Sequence, residues 1–246
     1  MMDLSVLKAK LNGKPLAVFG LGQSGMATVE SARAAGIAVY AHDDKDINFK
    51  AAEAMGAIVG SLTAEVLKNC AYLILAPGVP LTHPKPHAVV EAAQKAGVPI
   101  ICDIELFYLA YPNIKTIGIT GTNGKSTTTA LIAHILKSAG EEAVMGGNIG
   151  AAVMSLPTPS AKTIYVLELS SYQLDLCEAF APSISILINM SKDHLDRHGD
   201  MIGYQKAKAR IFQHDGAAVI GVDDMWSKEI AARVESAGRR AVVRVS

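Results

Sequence analysis

The stretch that most constrains the fold runs from Ile114 to Leu136, IKTIGITGTNGKSTTTALIAHIL. The apolar run Ile117-Gly118-Ile119 predicts a buried strand, and Leu131, Ile132, Ile135 and Leu136 predict the apolar face of a helix. Between them lies Thr120-Gly121-Thr122-Asn123-Gly124-Lys125-Ser126-Thr127. A strand that passes through such a loop into a helix is suited to holding phosphates. Glycines let backbone N–H groups turn inward, the helix N-terminus adds a positive dipole end, Lys125 supplies a mobile charge, and Ser126 can ligate Mg²⁺. The match to Gly-x-x-x-x-Gly-Lys-Ser/Thr is incomplete, because Ile119 stands where the first glycine belongs. A glycine-rich turn capped by Thr120 is the competing reading; the order of strand, loop, Lys-Ser and helix favours phosphate.

A chain of 246 residues, half of them hydrophobic, has material for two modest α/β domains. Lys+Arg and Asp+Glu balance at 23 each, and only 5% of residues are aromatic, which argues against a nucleic-acid or anionic-membrane partner. The three cysteines, Cys70, Cys102 and Cys177, are far apart and form no Cys-x-x-Cys, so buried free thiols in a reducing compartment are expected. The first fifteen residues lack the apolar core of a secretory signal, and no run is long enough to span a membrane. A soluble, cytoplasmic protein is the expectation.

Residues 2–12 predict a short amphipathic helix or a tail, and Leu16–Phe19 a buried strand. Gly20-Leu21-Gly22-Gln23-Ser24-Gly25 follows, then a helix over 26–35 and a strand over 37–41 that ends near Asp43. This βαβ pattern with Gly-x-Gly-x-x-Gly and an acid about twenty positions on resembles a dinucleotide fingerprint. Either the loop meets a pyrophosphate while Asp43 faces a ribose or base, or the glycines only permit close strand–helix packing. Alternation continues through a strand over 72–75 that leads into Pro77-Gly78, a helix over 87–96, and a helix starting at Asp103. Tyr111-Pro112-Asn113 is the expected boundary between a Rossmann-like parallel-sheet domain, 1–111, and a second α/β domain, 112–246.

In the second half, Gly146-Gly147-Asn148-Ile149-Gly150 is a further glycine-rich turn, and Leu156–Pro159 reads as a surface loop. A strand over 163–167 ends at Glu168, and one over 183–188 precedes Asp193-His194. In a parallel sheet, the phosphate loop, Glu168 and Asp193-His194 would gather on one rim. Glu168 is either a metal ligand or a cap for the next helix; His194 binds a metal or substrate, or is a turn histidine. The helix over 204–212 places Lys208 and Phe212 on one face, where a lysine is ordinarily solvated.

Thr-Gly-Thr-Asn-Gly-Lys-Ser-Thr at 120–127 resembles the ATP loop of the Mur ligases, the cytoplasmic amide-bond-forming enzymes of peptidoglycan precursor synthesis. That family shares the departure at Ile119. Gly146–Gly150, Glu168-Leu169-Ser170-Ser171-Tyr172-Gln173-Leu174, Asp193-His194-Leu195-Asp196-Arg197 and Tyr204-x-x-x-Lys208-x-x-Ile211 stand in the order and spacing of its D-glutamate-adding branch. The resemblance covers essentially the whole chain. It implies that 112–246 is the first part of a P-loop-type ATPase domain, and that UDP-N-acetylmuramoyl-L-alanine, ATP and D-glutamate are the partners.

The resemblance also implies roles. Gly121, Thr122, Asn123, Gly124, Lys125, Ser126 and Thr127 would bind ATP. Ser126 and Glu168 would hold one Mg²⁺, and His194 and a carbamylated Lys208 a second. Lys125, Glu168, His194 and Lys208 would be the catalytic set. Ser24, Asp43, Gly78, Asn148 and His194 match substrate-binding positions. The family's later adenine and D-glutamate contacts are absent, so a fragment unable to complete catalysis alone is expected. A folylpolyglutamate-synthase-like ligase, an NAD-linked oxidoreductase built on Gly20–Gly25 and a non-catalytic nucleotide-binding module are the alternatives.

Overall fold

Short apolar strands alternating with helices force crossover connections, and both sheets are accordingly parallel throughout. The structure, a computed structural model, describes residues 1–246. The chain divides into two compact units: Met1–Ala110 with Ala152–Thr158, and Tyr111–Ala151 with Pro159–Ser246.

In the first unit, α1 (Ser5–Lys8) precedes β1 (Leu16–Phe19), α2 (Gln23–Ala34), β2 (Val39–His42), α3 (Phe49–Ala54), β3 (Ile58–Val59) and α4 (Ala64–Leu67). Then come β4 (Tyr72–Leu75), α5 (Ala88–Ala96), β5 (Ile100–Ile101) and α6 (Asp103–Ala110). The strand order is β3-β2-β1-β4-β5. All four residues of β1 are buried, as a central parallel strand covered on both faces requires. Helix α2 starts at Gln23, three residues ahead of the sequence expectation. The helical backbone begins inside the glycine loop, with Gly22 as its N-cap and Gly25 in its first turn. A Cβ on Gly25 would lie 1.8 Å from the Gly20 carbonyl oxygen, and one on Gly20 would lie 2.4 Å from Cβ of Ala76. Close packing therefore demands both glycines, whatever the loop binds.

The segment Ala152–Thr158 packs with this first unit, although division of the sequence at 111/112 leaves it with the second half. A single 3-10 turn, Val153–Ser155, lies against α2 and α6 with Val153 and Met154 fully buried. The Met154 carbonyl accepts from the Met2 N–H and from the Ser31 hydroxyl, both at 2.9 Å. Leu156, expected in a surface loop, is buried as well, whereas Ser155, Pro157 and Thr158 are exposed.

The second unit runs β6 (Lys115–Thr120), α7 (Lys125–Ser138), β7 (Ala143–Gly147), β8 (Ile164–Glu168), α8 (Ser171–Asp175), β9 (Ile184–Leu187) and α9 (Leu195–His198). It continues with α10 (Met201–Ala209), β10 (Gly216–Gly221), α11 (Met225–Ala237) and β11 (Arg240–Val245). Its order is β11-β10-β9-β6-β8-β7, so β6 has β8 and β9 as immediate neighbours. Ile117, Ile119, Ala133 and Val166 form a core on which Ile132, Leu136 and Ile186 pack. The apolar face expected for α7 is narrower than its sequence. Leu131 and Ile135 are each 55% exposed, because Ile132, Ala133 and Leu136 already cover the sheet and a helix rotates about 100° per residue. No helix is long and apolar enough to cross a membrane.

Candidate functional site

The loop between β6 and α7 closes through two glycines in the left-handed range, Gly121 at φ +156° and Gly124 at φ +84°. Gly124 is the N-cap of α7, so the amides of Lys125, Ser126 and Thr127 belong to the first helical turn, where no intrahelical acceptor is available. Asn189, just beyond β9, clamps the loop. Its Oδ1 accepts from the Asn123 N–H at 3.0 Å, its Nδ2 donates to the Asn123 carbonyl at 3.2 Å, and its own carbonyl accepts from the Thr122 N–H at 3.0 Å. Lys125 Nζ folds back onto the carbonyls of Gly121 and Thr122, at 3.1 and 2.9 Å. Neutral carbonyls hold that ammonium, and no carboxylate does.

Because β8 lies beside β6, Glu168 at its end faces the loop. The carboxylate is 2% exposed and fully engaged: Ser126 Oγ donates to Oε2 at 2.7 Å, and Asn148 Nδ2 donates to Oε1 at 2.9 Å. The Asn148 N–H also donates to the Glu168 carbonyl at 2.9 Å. Gly147 makes that approach sterically feasible, since a Cβ there would lie 2.3 Å from the same carbonyl. Asn148 therefore holds Glu168 in this geometry, a contact that its expected substrate role did not anticipate. Glu168 does not cap α8; Ser170 does, in a capping box with Gln173.

His194 follows β9 in a left-handed conformation, φ +51°. Its Nε2 lies 3.3 Å from Asp193 Oδ2, and its ring meets Tyr172 and Tyr204 at centroid distances of 5.1 and 6.1 Å. Behind it, the buried His198 bonds Ser171 Oγ at 2.9 Å and packs against the same two tyrosines. Helix α10 supplies Tyr204 and Lys208. Tyr204 Oη contacts Thr122 Oγ1 at 3.2 Å, and burial pushes its phenol up to about 12. Sequence reasoning missed Asn189 and His198 and used Tyr204 only as a motif marker. These roles arise from strands that are adjacent in the sheet but some 65 residues apart in sequence, which spacing does not reveal.

Lys208 departs most from expectation. It is 1% exposed rather than solvated, and it donates to the Gly121 carbonyl at 2.7 Å and to Thr120 Oγ1 at 3.3 Å. Its ammonium sits 4.8 Å from the Tyr204 ring centroid. Burial, reinforced by the charge of Lys125, lowers its pKa from 10.5 to about 7, against smaller opposing effects of Asp193 and Glu168.

The first unit gathers Ser24, Asp43 and Gly78 at the carboxyl ends of three neighbouring strands, β1, β2 and β4. Asp43 is tied to the glycine loop, accepting from the Leu21 N–H through Oδ2 and from the Lys45 N–H through Oδ1. Asn48, not singled out in the sequence, donates to the Leu21 carbonyl. A Cβ on Gly22 or on Gly78 would meet nothing within 4 Å, so there is open space beside both at this edge.

Ser126 Oγ and Glu168 Oε2, a hydroxyl and a carboxylate 2.7 Å apart, are a hard-oxygen donor pair that suits Mg²⁺. His194 with an unmodified Lys208 offers no oxygen; a carbamate on Lys208 would. No group of three or more His, Cys, Asp or Glu side chains converges as a ready-made metal centre.

Fold and loop together define an α/β protein in which a Rossmann-like sheet precedes a P-loop ATPase-type sheet. Residues 119–246 match the family model for the Mur ligase middle domain, and residues 14–102 match that for the Mur ligase MurD-like N-terminal domain. The chain belongs to the Mur ligase family. It is 50% identical over 242 residues to the UDP-N-acetylmuramoylalanine–D-glutamate ligase of Nitrobacter winogradskyi, covering 96% of this chain and 52% of that protein. It is 50% identical over 238 residues to the same-named protein of Agrobacterium fabrum, covering 95% and 50%. The chain thus spans about half the length of these relatives. Among solved structures, the UDP-N-acetylmuramate:L-alanyl-gamma-D-glutamyl-meso-diaminopimelate ligase of Neisseria meningitides shares the fold at TM-score 0.62 and 19% identity, over 94% of this chain and 77% of that one. The UDP-N-acetylmuramate-alanine ligase of Thermotoga maritima does so at TM-score 0.55 and 21% identity, over 88% and 51%.

Proposed function

We propose that this sequence forms the nucleotide-substrate and phosphate-binding part of an ATP-dependent ligase that joins D-glutamate to UDP-N-acetylmuramoyl-L-alanine in peptidoglycan precursor synthesis. The observation that carries the reading is half-identity, across nearly the whole chain, to relatives that bear that ligase's name. ATP would phosphorylate the alanyl carboxylate, and the D-glutamate amine would displace phosphate from the acyl phosphate.

In this reading the Gly121–Thr127 amides and Lys125 hold the β- and γ-phosphates. Lys125 exchanges its two loop carbonyls for phosphate oxygens, a stronger charge-assisted pairing. Ser126 and Glu168 would hold one Mg²⁺; His194 and a carbamylated Lys208 would hold a second. Such ions supply charge neutralisation on the transferring phosphoryl group. Ser24, Asp43 and Gly78 bind the uridine nucleotide, and Asn148 and His194 meet the substrate's distal portion. ATP, Mg²⁺, UDP-N-acetylmuramoyl-L-alanine and D-glutamate are the partners, in the cytoplasm.

Calorimetric titration with UDP-N-acetylmuramoyl-L-alanine tests the assignment, with UDP and NAD as controls. The muramoyl nucleotide is expected to bind at least tenfold tighter than UDP, and NAD not at all. Preferential binding of NAD would return Gly20–Gly25 to an oxidoreductase.

Lys208 makes a separate prediction. A carbamate forms when a neutral amine's lone pair attacks the carbon of CO₂ and the nitrogen releases a proton. An amine with a pKa of about 7 is largely neutral at pH 8, whereas an ordinary lysine is not. With ¹³C-labelled bicarbonate, a carbamate resonance is expected that grows as pH rises through 7 and is absent in Lys208→Arg. The lowered pKa also fixes a stability trend. Between about 7 and 10.5 the unfolded chain holds a proton that the folded chain has released, so stability should rise with pH there. Lys208→Met should flatten that rise; an unchanged slope would assign it to other groups.

A further inference from the structure

A cavity of about 380 Å³ opens in the second unit beside α10, α11 and the start of β11. Phe212, Ile230 and Val234 give it an apolar floor, and Arg233, Arg239 and Arg240 line it with no carboxylate among the lining residues. None of the three arginines takes part in an ion pair. Arg240 is 8% exposed, and its guanidinium donates only to neutral acceptors. These are the His214 carbonyl, Ser185 Oγ at 2.9 Å, the Ala217 carbonyl at 3.1 Å and the Ile211 carbonyl at 3.3 Å. The guanidinium also lies 5.8 Å from the Phe212 ring centroid. Arg233 reaches only the Glu229 carbonyl of its own helix, at 3.4 Å, and Arg239 is exposed.

Stapling β11 to the turn before β10 accounts for Arg240 by itself. It does not account for two more arginines converging on the same apolar cavity without an acid. Burying a guanidinium carries a desolvation cost, which Asp215 offsets only in part through space. An anion entering the cavity would offset more of it, and the floor would pack its apolar portion.

We propose that this cavity is a binding site for an organic anion of roughly ten to fifteen non-hydrogen atoms in all, a phosphate, sulfate or carboxylate carried on a flat apolar body. The anionic group sits between Arg233 and Arg239, with the remaining Arg240 charge behind it, and the body lies over Phe212, Ile230 and Val234. The site is separate from the phosphate loop. Lys208 of α10 points to the loop, and Phe212, just beyond that helix, lines the cavity.

The test is NMR titration of the ¹⁵N-labelled chain with phenyl phosphate, using inorganic phosphate and phenol as half-probes. The Nε–Hε signals of the three arginines and the Gly121–Thr127 amides report the two sites separately. Phenyl phosphate is expected to saturate the arginine response at least tenfold below either half-probe. The double variant R233Q/R239Q, at exposed positions, should weaken it at least tenfold while the loop response stays as it was. V234F, which fills the floor, should do the same. Equal response to phenyl phosphate and phosphate, or unchanged affinity in both variants, would overturn the proposal. So would a response confined to the loop, which would leave the loop's proposed role standing.

Discussion

Replacing Glu168 by Gln, in a protein of the relatives' full length, is expected to lower ligation by at least three orders of magnitude. The two carboxylate oxygens each accept one donor, from Ser126 at 2.7 Å and from Asn148 at 2.9 Å. A glutamine keeps the shape but must turn an N–H₂ toward one of those donors, so the substitution breaks a bond inside a site that is 2% exposed. It also deletes the negative charge that would hold Mg²⁺ against the phosphates, and electrostatic stabilisation of this kind accounts for a large share of phosphoryl-transfer rates, roughly 10³-fold or more per group. Lys125→Ala should match it in size for the opposite reason, by removing the loop's cation. Trapping of the acyl phosphate with hydroxylamine separates this first step from later ones. Turnover within tenfold of the parent in either variant would sink the site assignment.

The second large effect concerns folding. A chain ending at Ala110 lacks the segment that Val153, Met154 and Leu156 bring into the first unit, all of them at most 4% exposed. Each such side chain contributes on the order of 1.5–3 kcal/mol when buried, so the loss is about 4.5–9 kcal/mol, comparable with the whole stability of a typical domain. Residues 1–110 alone are therefore expected to be largely unfolded. Joining 152–158 to them through a flexible Gly/Ser linker should restore a cooperative urea transition. Equal midpoints with and without the segment would show that its packing adds nothing. M154D in the linked version should abolish the gain, because the aspartate would be buried without a partner.

Strands β1 and β4 could be read from sequence to the residue. Leu16–Phe19 and Tyr72–Leu75 are unbroken apolar runs of strand length between turn signals, and a central parallel strand needs nothing else. The loop from Thr120 to Thr127 was equally plain, since strand, glycines, Lys-Ser and helix are contiguous. Legibility failed where structure depends on what lies opposite. Gly216–Gly221 is strand β10, yet GAAVIG, two-thirds glycine and alanine, has little strand signal of its own; β9 and β11 flank it and supply the context. Lys208 looks like any helix-surface lysine until the sheet brings the end of β6 against α10. Leu156-Pro157-Thr158-Pro159 has the composition of a surface loop, and Leu156 is buried because of its partners in the first unit. Asn148 shows the same limit at the site. Its motif position suggests a ligand contact, whereas its bond to Glu168 depends on the pairing of β7 with β8.

The seven-residue segment also sets a timetable for biosynthesis. The first unit is translated first but is not complete until part of the second has been made. After Ala110 emerges from the ribosome, about fifty more residues must follow before Thr158 does, which takes roughly 3–10 s at ordinary elongation rates. During that interval β6, the phosphate-type loop and α7 emerge in turn, while the faces of α2 and α6 that receive Met154 stand open to water. A nascent chain of this sequence thus carries an apolar wound in its leading half that only its trailing half can close.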